Sequence, residues 1–386
     1  MRKPEKPQRF PRREANEFEV LCQGTHYFPA MISAIDQAEE RIALEMYWVA
    51  SGPLAERFIR ALASAADRGV RVFVLLDDYG CSDLDAMDRR RLAQAGIRVA
   101  LFNPLQLRVG WGNFIRDHRK LLLVDDELAF VGGAGLAEPF DGDRGWRENM
   151  LRIRGECVAD WWRLFARVWN RWSAVDCPSP SVVQAGSNTG RILPGSPIWR
   201  PVLAAAIRDI RRARRRVWLA TPYFLPPVKL RRALARARRR GCDVRLIVPD
   251  EAHCDVPAVH VAGRRYYDRL LRRGIRVFEY HERVTHQKVL LADERVTIGS
   301  CNYDRWGLRW NLEASQGIES TEHASAVGRM LEDDLAHCRE ITAADRERRT
   351  LRQRIAEWFW GVVDAAMVSI NHARLIRRER ASRTHQ

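Results

Sequence analysis

Apolar and polar positions along this chain fall into two matching halves. In the first, Tyr27, Met31, Ile35 and Ala38 recur at helical spacing within residues 27–40, and residues 41–49 read as a strand. Residues 53–67 predict an amphipathic helix, with Pro53 at its start and Gly69 past its end, where each suits a helix best. Residues 70–76 predict a strand, 84–95 a helix stopped by Gly96, and 97–102 another strand. The order then returns: helix 200–214, strand 216–220, helix 227–239 stopped by Gly241, strand 244–248, helix 263–272 stopped by Gly274, and strand 275–280. Gly69-Val70-Arg71-Val72 lines up with Gly241-Cys242-Asp243-Val244, and Gly96-Ile97-Arg98-Val99 with Gly274-Ile275-Arg276-Val277. A period of about 170 residues is too long for a solenoid. It predicts a duplicated α/β domain, with helices packed on a largely parallel sheet.

After its last predicted strand, each half carries the same chemistry. The first has His118, Lys120 and Asp125 in an H-x-K-x4-D pattern, and the second repeats it as His286, Lys288 and Asp293. A small-residue turn follows each, Gly132-Gly133 and Gly299-Ser300, and then a lone glutamate, Glu148 or Glu313. On a strand, residues two apart point to one face, so each His and its Lys are expected side by side. The apolar run after each Lys predicts a strand buried on both faces. Bringing the copies together makes a cluster of two imidazoles and two ammonium groups, whose natural ligand is an oxyanion such as phosphate. One imidazole is then suited to attack phosphorus and the other to protonate the leaving oxygen. The lysines would stabilise charge on the non-bridging oxygens. Either the motif aspartates or the downstream glutamates are placed to fix the imidazole tautomers.

A formal net charge of +16 over 386 residues favours an acidic partner, either nucleic acid or an anionic membrane surface. The eight cysteines form no C-x-x-C pair, and no His, Cys and carboxylate cluster has ligand spacing, so neither disulfides nor a metal is expected. No window is apolar enough to span a bilayer, and the basic N-terminus is not a signal peptide. Residues 158–172 hold four tryptophans on a predicted helix, read as a packing element ahead of a lipid-facing one. Residues 355–370 are apolar and aromatic, and Arg374, Arg377, Arg378, Arg380 and Arg383 follow. That pattern fits an interfacial membrane anchor and equally a helix docked on the body. The arginine runs at 211–216 and 231–240 read mainly as solvated helix faces.

The doubled motif resembles the phospholipase D superfamily. Its surroundings narrow the likeness: Asp77-Asp78-Tyr79-Gly80, the residues 114–120, Thr221-Pro222-Tyr223-Phe224, Asp255-Val256-Pro257, Asn302-Tyr303-Asp304 and Asn311-Leu312-Glu313. These are similar to bacterial cardiolipin synthases, especially the branch without N-terminal spanning helices. The resemblance runs from about residue 18 to about residue 341. It implies two α/β/α lobes related by a pseudo-twofold axis, with the active site between them. It implies a phosphohistidine intermediate with no cofactor, His118 as nucleophile and His286 as general acid. The repeat itself leaves that order open. Glu148, Ser300, Asn302 and Glu313 would support the phosphate. The implied substrate is phosphatidylglycerol, whose phosphatidyl group passes to a hydroxyl of a second phospholipid with release of glycerol. The implied location is peripheral, on the cytoplasmic face of a bacterial inner membrane, with no nucleic acid as partner. A nucleic-acid phosphodiesterase of the same fold is the alternative. One departure stands out: Gly135 occupies the first-half place that Asn302 fills in the second. The expected division is a basic tail at 1–17, a first half at 18–175, a linker at 176–190, a second half at 191–341 and a basic amphipathic tail at 342–386.

Overall fold

The computed structural model describes residues 9–106, 113–196, 200–305 and 307–363. Within them one sixteen-stranded sheet runs through both halves. The halves meet where strand Arg13–Cys22 pairs antiparallel with strand Asn188–Gly195. Outward from the first lie Asn149–Gly155, Leu128–Gly132, Lys120–Val124, Arg41–Met46, Arg71–Asp77 and Arg98–Phe102. Outward from the second lie Asn311–Glu319, Arg295–Gly299, Val289–Ala292, Arg216–Ala220, Asp243–Pro249 and Arg276–Tyr280, with Cys338–Ile341 on the edge. The two series have the same order, as a duplication requires.

The sheet is mixed rather than largely parallel. Three strands run parallel in each half. The strand after each motif lysine runs antiparallel to them and turns back at once as a hairpin. A strand joined by so short a turn has no room for a crossover and must pair antiparallel.

Alternation along the strands sorts side chains into three cores. Ala43, Phe73, Leu75, Leu121 and Leu123 face a core shared by both halves, covered by helices Glu156–Trp172 and Thr321–Ala336. Ile42, Leu44, Val72, Val74 and Leu122 face the opposite way, under helices Gly24–Asp36 and Pro53–Asp67. The second half repeats this with helices Pro201–Arg212 and Val228–Arg239. The tryptophan helix is therefore a packing element. Trp161, Trp162 and Trp169 are fully buried, and Trp161 Nε1 donates to Gln316 Oε1 across the halves at 3.0 Å.

Several boundaries differ from the sequence reading. The central strand begins at Arg13, inside the segment read as a tail, because its partners come from residues far along the chain. The strand predicted to reach residue 49 ends at Met46, where the chain turns toward the motif histidine. The helix expected at 263–272 is two, Pro257–Arg264 and Tyr267–Leu271, the first opened by a proline in its first turn. Residues 364–386, with the five C-terminal arginines named above, lie outside the described residues.

Asp125 and Asp293 sit in the hairpin turns, both with positive φ, 48° and 55°. The second copy has one residue fewer between Asp293 and Gly299 than the first has between Asp125 and Gly132. Val124 pairs with Leu128 across three residues, while Ala292 pairs with Arg295 across two, which absorbs that difference. The Asp125 carboxylate accepts the backbone N–H groups of Glu39, Glu40 and Arg41. Asp293 accepts those of Arg214, Arg215 and Arg216 at 2.7–3.0 Å. Each motif aspartate thus ties its hairpin to the start of a parallel strand. Burial pushes the Asp293 carboxyl up, but the three N–H groups outweigh it and hold it below the usual carboxylate range.

Replacing Asp293 with Asn should cost about 0.5–1.5 kcal/mol near neutral pH, since charged acceptors make the stronger hydrogen bonds but solvent screens this partly exposed one. A depressed carboxylate stabilises the fold above its unfolded pKa, near 4, and loses that contribution as pH falls through the lower folded value. Urea unfolding of Asp293→Asn and the unaltered protein should therefore differ at pH 7 and converge below about pH 4. A gap independent of pH would assign the aspartate no ionic role.

Candidate active site

Two backbone hydrogen bonds build the site. His118 N donates to Leu312 O at 2.9 Å, and His286 N donates to Arg147 O at 2.8 Å. Each joins a motif histidine to the residue just before the other half's glutamate. The short strand Arg116–Asp117 pairs parallel with Asn311–Leu312, and Arg147 bridges Thr285 in the matching way. The carboxylates therefore cross over. His118 Nδ1 lies 3.0 Å from Glu313 Oε1, off the line of a hydrogen bond, and His286 Nδ1 is hydrogen-bonded to Glu148 Oε2 at 2.7 Å.

This resolves the alternatives left by the sequence. The glutamates face the imidazoles. Asp125 and Asp293 do not, because their oxygens are held by backbone N–H groups at the hairpin turns. The histidines also precede their strands, which start at Lys120 and Val289, rather than lying within them.

The lysines sit unlike each other. Lys288 Nζ contacts Glu148 Oε2 at 3.1 Å and His286 Nδ1 at 2.6 Å. Lys120 Nζ donates to His118 O at 2.8 Å and lies 4.9 Å from the centre of the Tyr47 ring. All six groups are buried. Burial lowers His118 well below its ordinary value, reinforced by Lys120 and Lys288, so this imidazole is neutral at pH 7. Burial also lowers His286, but Glu148 opposes it. The carboxyls diverge. Burial pushes Glu313 up to about 8, against Lys120 and Ser300. Glu148, equally buried, is brought below its ordinary value by Lys288 and His286. Lys120 is lowered to about 7 by burial. One half-site thus favours an ionised carboxylate against His286, and the other pushes its carboxyl toward the protonated form.

Small residues make this possible. A Cβ at Gly133 would stand 2.0 Å from Glu148 Oε2, so only glycine lets that carboxylate in. Its counterpart Ser300 instead donates from Oγ to Glu313 Oε2 at 2.5 Å. Gly135 is also explained, because a Cβ there would come within 2.8 Å of Trp48 O. Asn302 is buried, and its Oδ1 has no hydrogen-bond partner among the described residues.

Sequence reasoning missed the aromatic walls. Tyr47 lies 4.6 Å from the His118 ring, and Phe140, Trp146 and Tyr223 lie 5.4–6.3 Å from that of His286. Trp146, two residues before Glu148, was the available signal. The hydroxyl of Tyr223 bonds to Asp255, which links two of the segments that carried the family resemblance. Asp77, in a third, accepts Asp117 N at 2.8 Å and Arg116 Nη1 at 3.2 Å, and so braces the approach to His118. Burial raises Asp77 to about 6, against Arg116 and backbone donors.

Residues 31–169 and 206–335 match the family described as "Cardiolipin synthase, PLD-like domain". A cardiolipin synthase of Geobacillus kaustophilus is 31% identical over 358 residues, covering 89% of this chain and 71% of that protein. Cardiolipin synthase B of Salmonella typhi is 31% identical over 373 residues, covering 88% and 85%. The crystal structure of phosphatidylserine synthase from Haemophilus influenzae superposes with a TM-score of 0.72 over 93% of this chain and 96% of that one, at 14% identity, which is a likeness of fold. Since the match takes in both copies of the motif and most of each relative's length, the chain belongs to the phospholipase D-like cardiolipin synthase family.

Proposed function

We propose that the protein transfers a phosphatidyl group from phosphatidylglycerol to a hydroxyl of a second phospholipid and releases glycerol. The observation that carries this is the crossed cluster, in which one neutral imidazole and one imidazole paired with an ionised carboxylate share a buried cationic site. The family relatives supply the substrate class.

In the proposed sequence the His118 ring nitrogen away from Glu313 attacks phosphorus. The phosphorus–oxygen bond to glycerol breaks, and His286 gives its proton to the departing oxygen. An incoming hydroxyl then loses its proton to His286 and attacks phosphorus, and the phosphorus–nitrogen bond breaks. One phosphodiester replaces another, so the exchange needs no outside energy source. The assignment of roles is supported by the carboxyls. Ionised Glu148 opposes the lowering of His286 by burial, although that imidazole still lies below its ordinary value, whereas His118, beside the raised Glu313, is lowered further. Lys120 and Lys288 would stabilise the non-bridging oxygens.

Peripheral membrane attachment is part of the proposal, and one helix supports it. Residues 351–363 form a helix whose buried Glu357 is gripped by Arg346 at 2.7–2.9 Å and Arg349 at 2.6 Å, both also bound to Asp268. This docks the helix on the body. Its other side exposes Trp358 (64%), Phe359 and Trp360. The docked helix and the anchor are thus compatible readings of one element. Among the described residues no helix is long and apolar enough to cross a membrane.

Incubating the protein with phosphatidylglycerol vesicles should yield cardiolipin and free glycerol in equal amounts by mass spectrometry. His118→Asn should abolish this and give no labelled protein. His286→Asn should also abolish it, yet trap label from a nitrophenyl phosphodiester, whose leaving group needs no proton. Label trapped only in His118→Asn would reverse the two roles.

The two glutamates should fail unequally. Glu148→Gln removes a charge that supports the acid and should cost about 10²–10⁴-fold in turnover of phosphatidylglycerol. Glu313→Gln replaces a carboxyl already uncharged and should cost about tenfold or less. Because a carboxylate raises its partner's pKa, Glu148→Gln should also move the basic limb of the kcat/KM profile to lower pH. Equal losses with unmoved profiles would count against the division of labour.

For the membrane contact, Trp358→Ala with Phe359→Ala should release the protein from anionic vesicles in sedimentation. Hydrolysis of a soluble nitrophenyl phosphodiester should be unchanged. Full retention on vesicles would leave the helix a packing element only.

A further inference from the structure

The outer helical layer of the second half holds a charged groove that the catalytic cluster does not use. Helix Val228–Arg239 presents Arg232, Arg236 and Arg239 at i, i+4 and i+7, on one face. Arg272 and Arg273, just past helix Tyr267–Leu271, stand opposite. The five arginines and the buried Ala235 enclose a concavity of about 510 Å³. All five arginines are exposed, and among the described residues none pairs with a carboxylate. Elsewhere in this half arginines are paired, Arg264 of the helical layer with Glu251 at 3.1 Å and Arg276 of the sheet with Glu340 at 2.7 Å.

The groove is held open by two other arginines of the same region. Arg238 Nε donates to Gly274 O at 2.8 Å, and Arg231 lies 4.6 Å from the centre of the Tyr266 ring. These contacts fix the helix against its neighbour and leave the other five guanidiniums free of structural duty. Like charges lining one hollow repel wherever they come within the Debye length, about 8 Å at physiological ionic strength. Guanidinium forks match the oxygens of phosphate.

Topology separates this groove from the catalytic site. Both helices that form it lead, through Gly241 and Gly274, into the N-terminal ends of strands Asp243–Pro249 and Arg276–Tyr280. The histidine cluster lies at the other end, because Val289, next to Lys288, pairs with Ala220 at the close of strand Arg216–Ala220.

We propose that the groove is a second anion site, which binds a phosphate-bearing ligand, either a free phosphate compound or the headgroup of an anionic phospholipid. The proposal rests on the groove and not on the chemistry assigned to the cluster.

The test compares the full chain with Arg236→Gln/Arg272→Gln and Arg239→Gln/Arg273→Gln. Pyrophosphate and dihexanoyl phosphatidic acid are the probes, at matched ionic strength. Calorimetry should find about one more equivalent of ligand bound to the unaltered protein than to either double variant. Ligand should raise its Tm more than theirs. Without ligand, both variants should melt at or above the unaltered protein, since they lose repulsion. Their turnover of a nitrophenyl phosphodiester should be unchanged. A difference seen with pyrophosphate only would identify a free phosphate ligand, and one seen with the lipid, alone or as well, a headgroup. Identical stoichiometry and identical ligand-induced Tm shifts in all three proteins, with both probes, would overturn the proposal.

Discussion

The site depends on the exchange of backbone between the halves. The bonds from His118 N to Leu312 O and from His286 N to Arg147 O bring each imidazole to the opposite half's carboxylate. Neither half contains a complete acid–base pair. The junction strands Arg13–Cys22 and Asn188–Gly195, the shared core beneath Trp161 and Leu331, and the link from Trp161 to Gln316 all hold that crossing in register. A slip of one residue between the halves would turn the glutamates to the other face of the sheet, because side chains alternate.

Behind the imidazoles lie charged groups that water cannot reach. Arg119, between His118 and Lys120, points to Glu45 and Asp117, each at 3.2 Å. On the other side Arg147 meets Asp334 at 2.6 Å, Gln287 donates to Asp334 at 2.9 Å, and Asn149 donates to Gln287 at 2.8 Å. Buried ion pairs of this kind are poor sources of stability, since desolvation offsets most of the attraction. Their value lies in rigidity: the residue between each His and Lys is fixed from behind, which restrains the pair in front. The two networks differ in composition, as do Gly133 and Ser300 in front of them. Duplicated halves have drifted into unequal environments, and the divergent protonation of Glu148 and Glu313 follows from that inequality.

Much of the fold and part of the site were legible in the chain itself. Helical and strand periodicities, with Gly69, Gly96, Gly241 and Gly274 as stops, determined the order of elements in each half, because burial on one face imposes its own period. The repeated His, Lys and Glu determined that the motif is doubled and that the cluster carries two imidazoles and two lysines. Other features were set only by the tertiary structure. The hairpins made the sheet mixed, and a break at residues 265–266 divided a helix that periodicity had read as one. Asp125 and Glu148 were equivalent candidates in the sequence. Backbone N–H groups that only the folded turn brings near the aspartate took it out of the site. That Glu313 serves His118, and Glu148 serves His286, joins residues more than a hundred positions apart. No local pattern encodes such a pairing, because it is decided by which strands lie side by side. The unequal charge of the two carboxyls lies further still from the sequence, since it arises from the depth of burial and from which lysine reaches which oxygen.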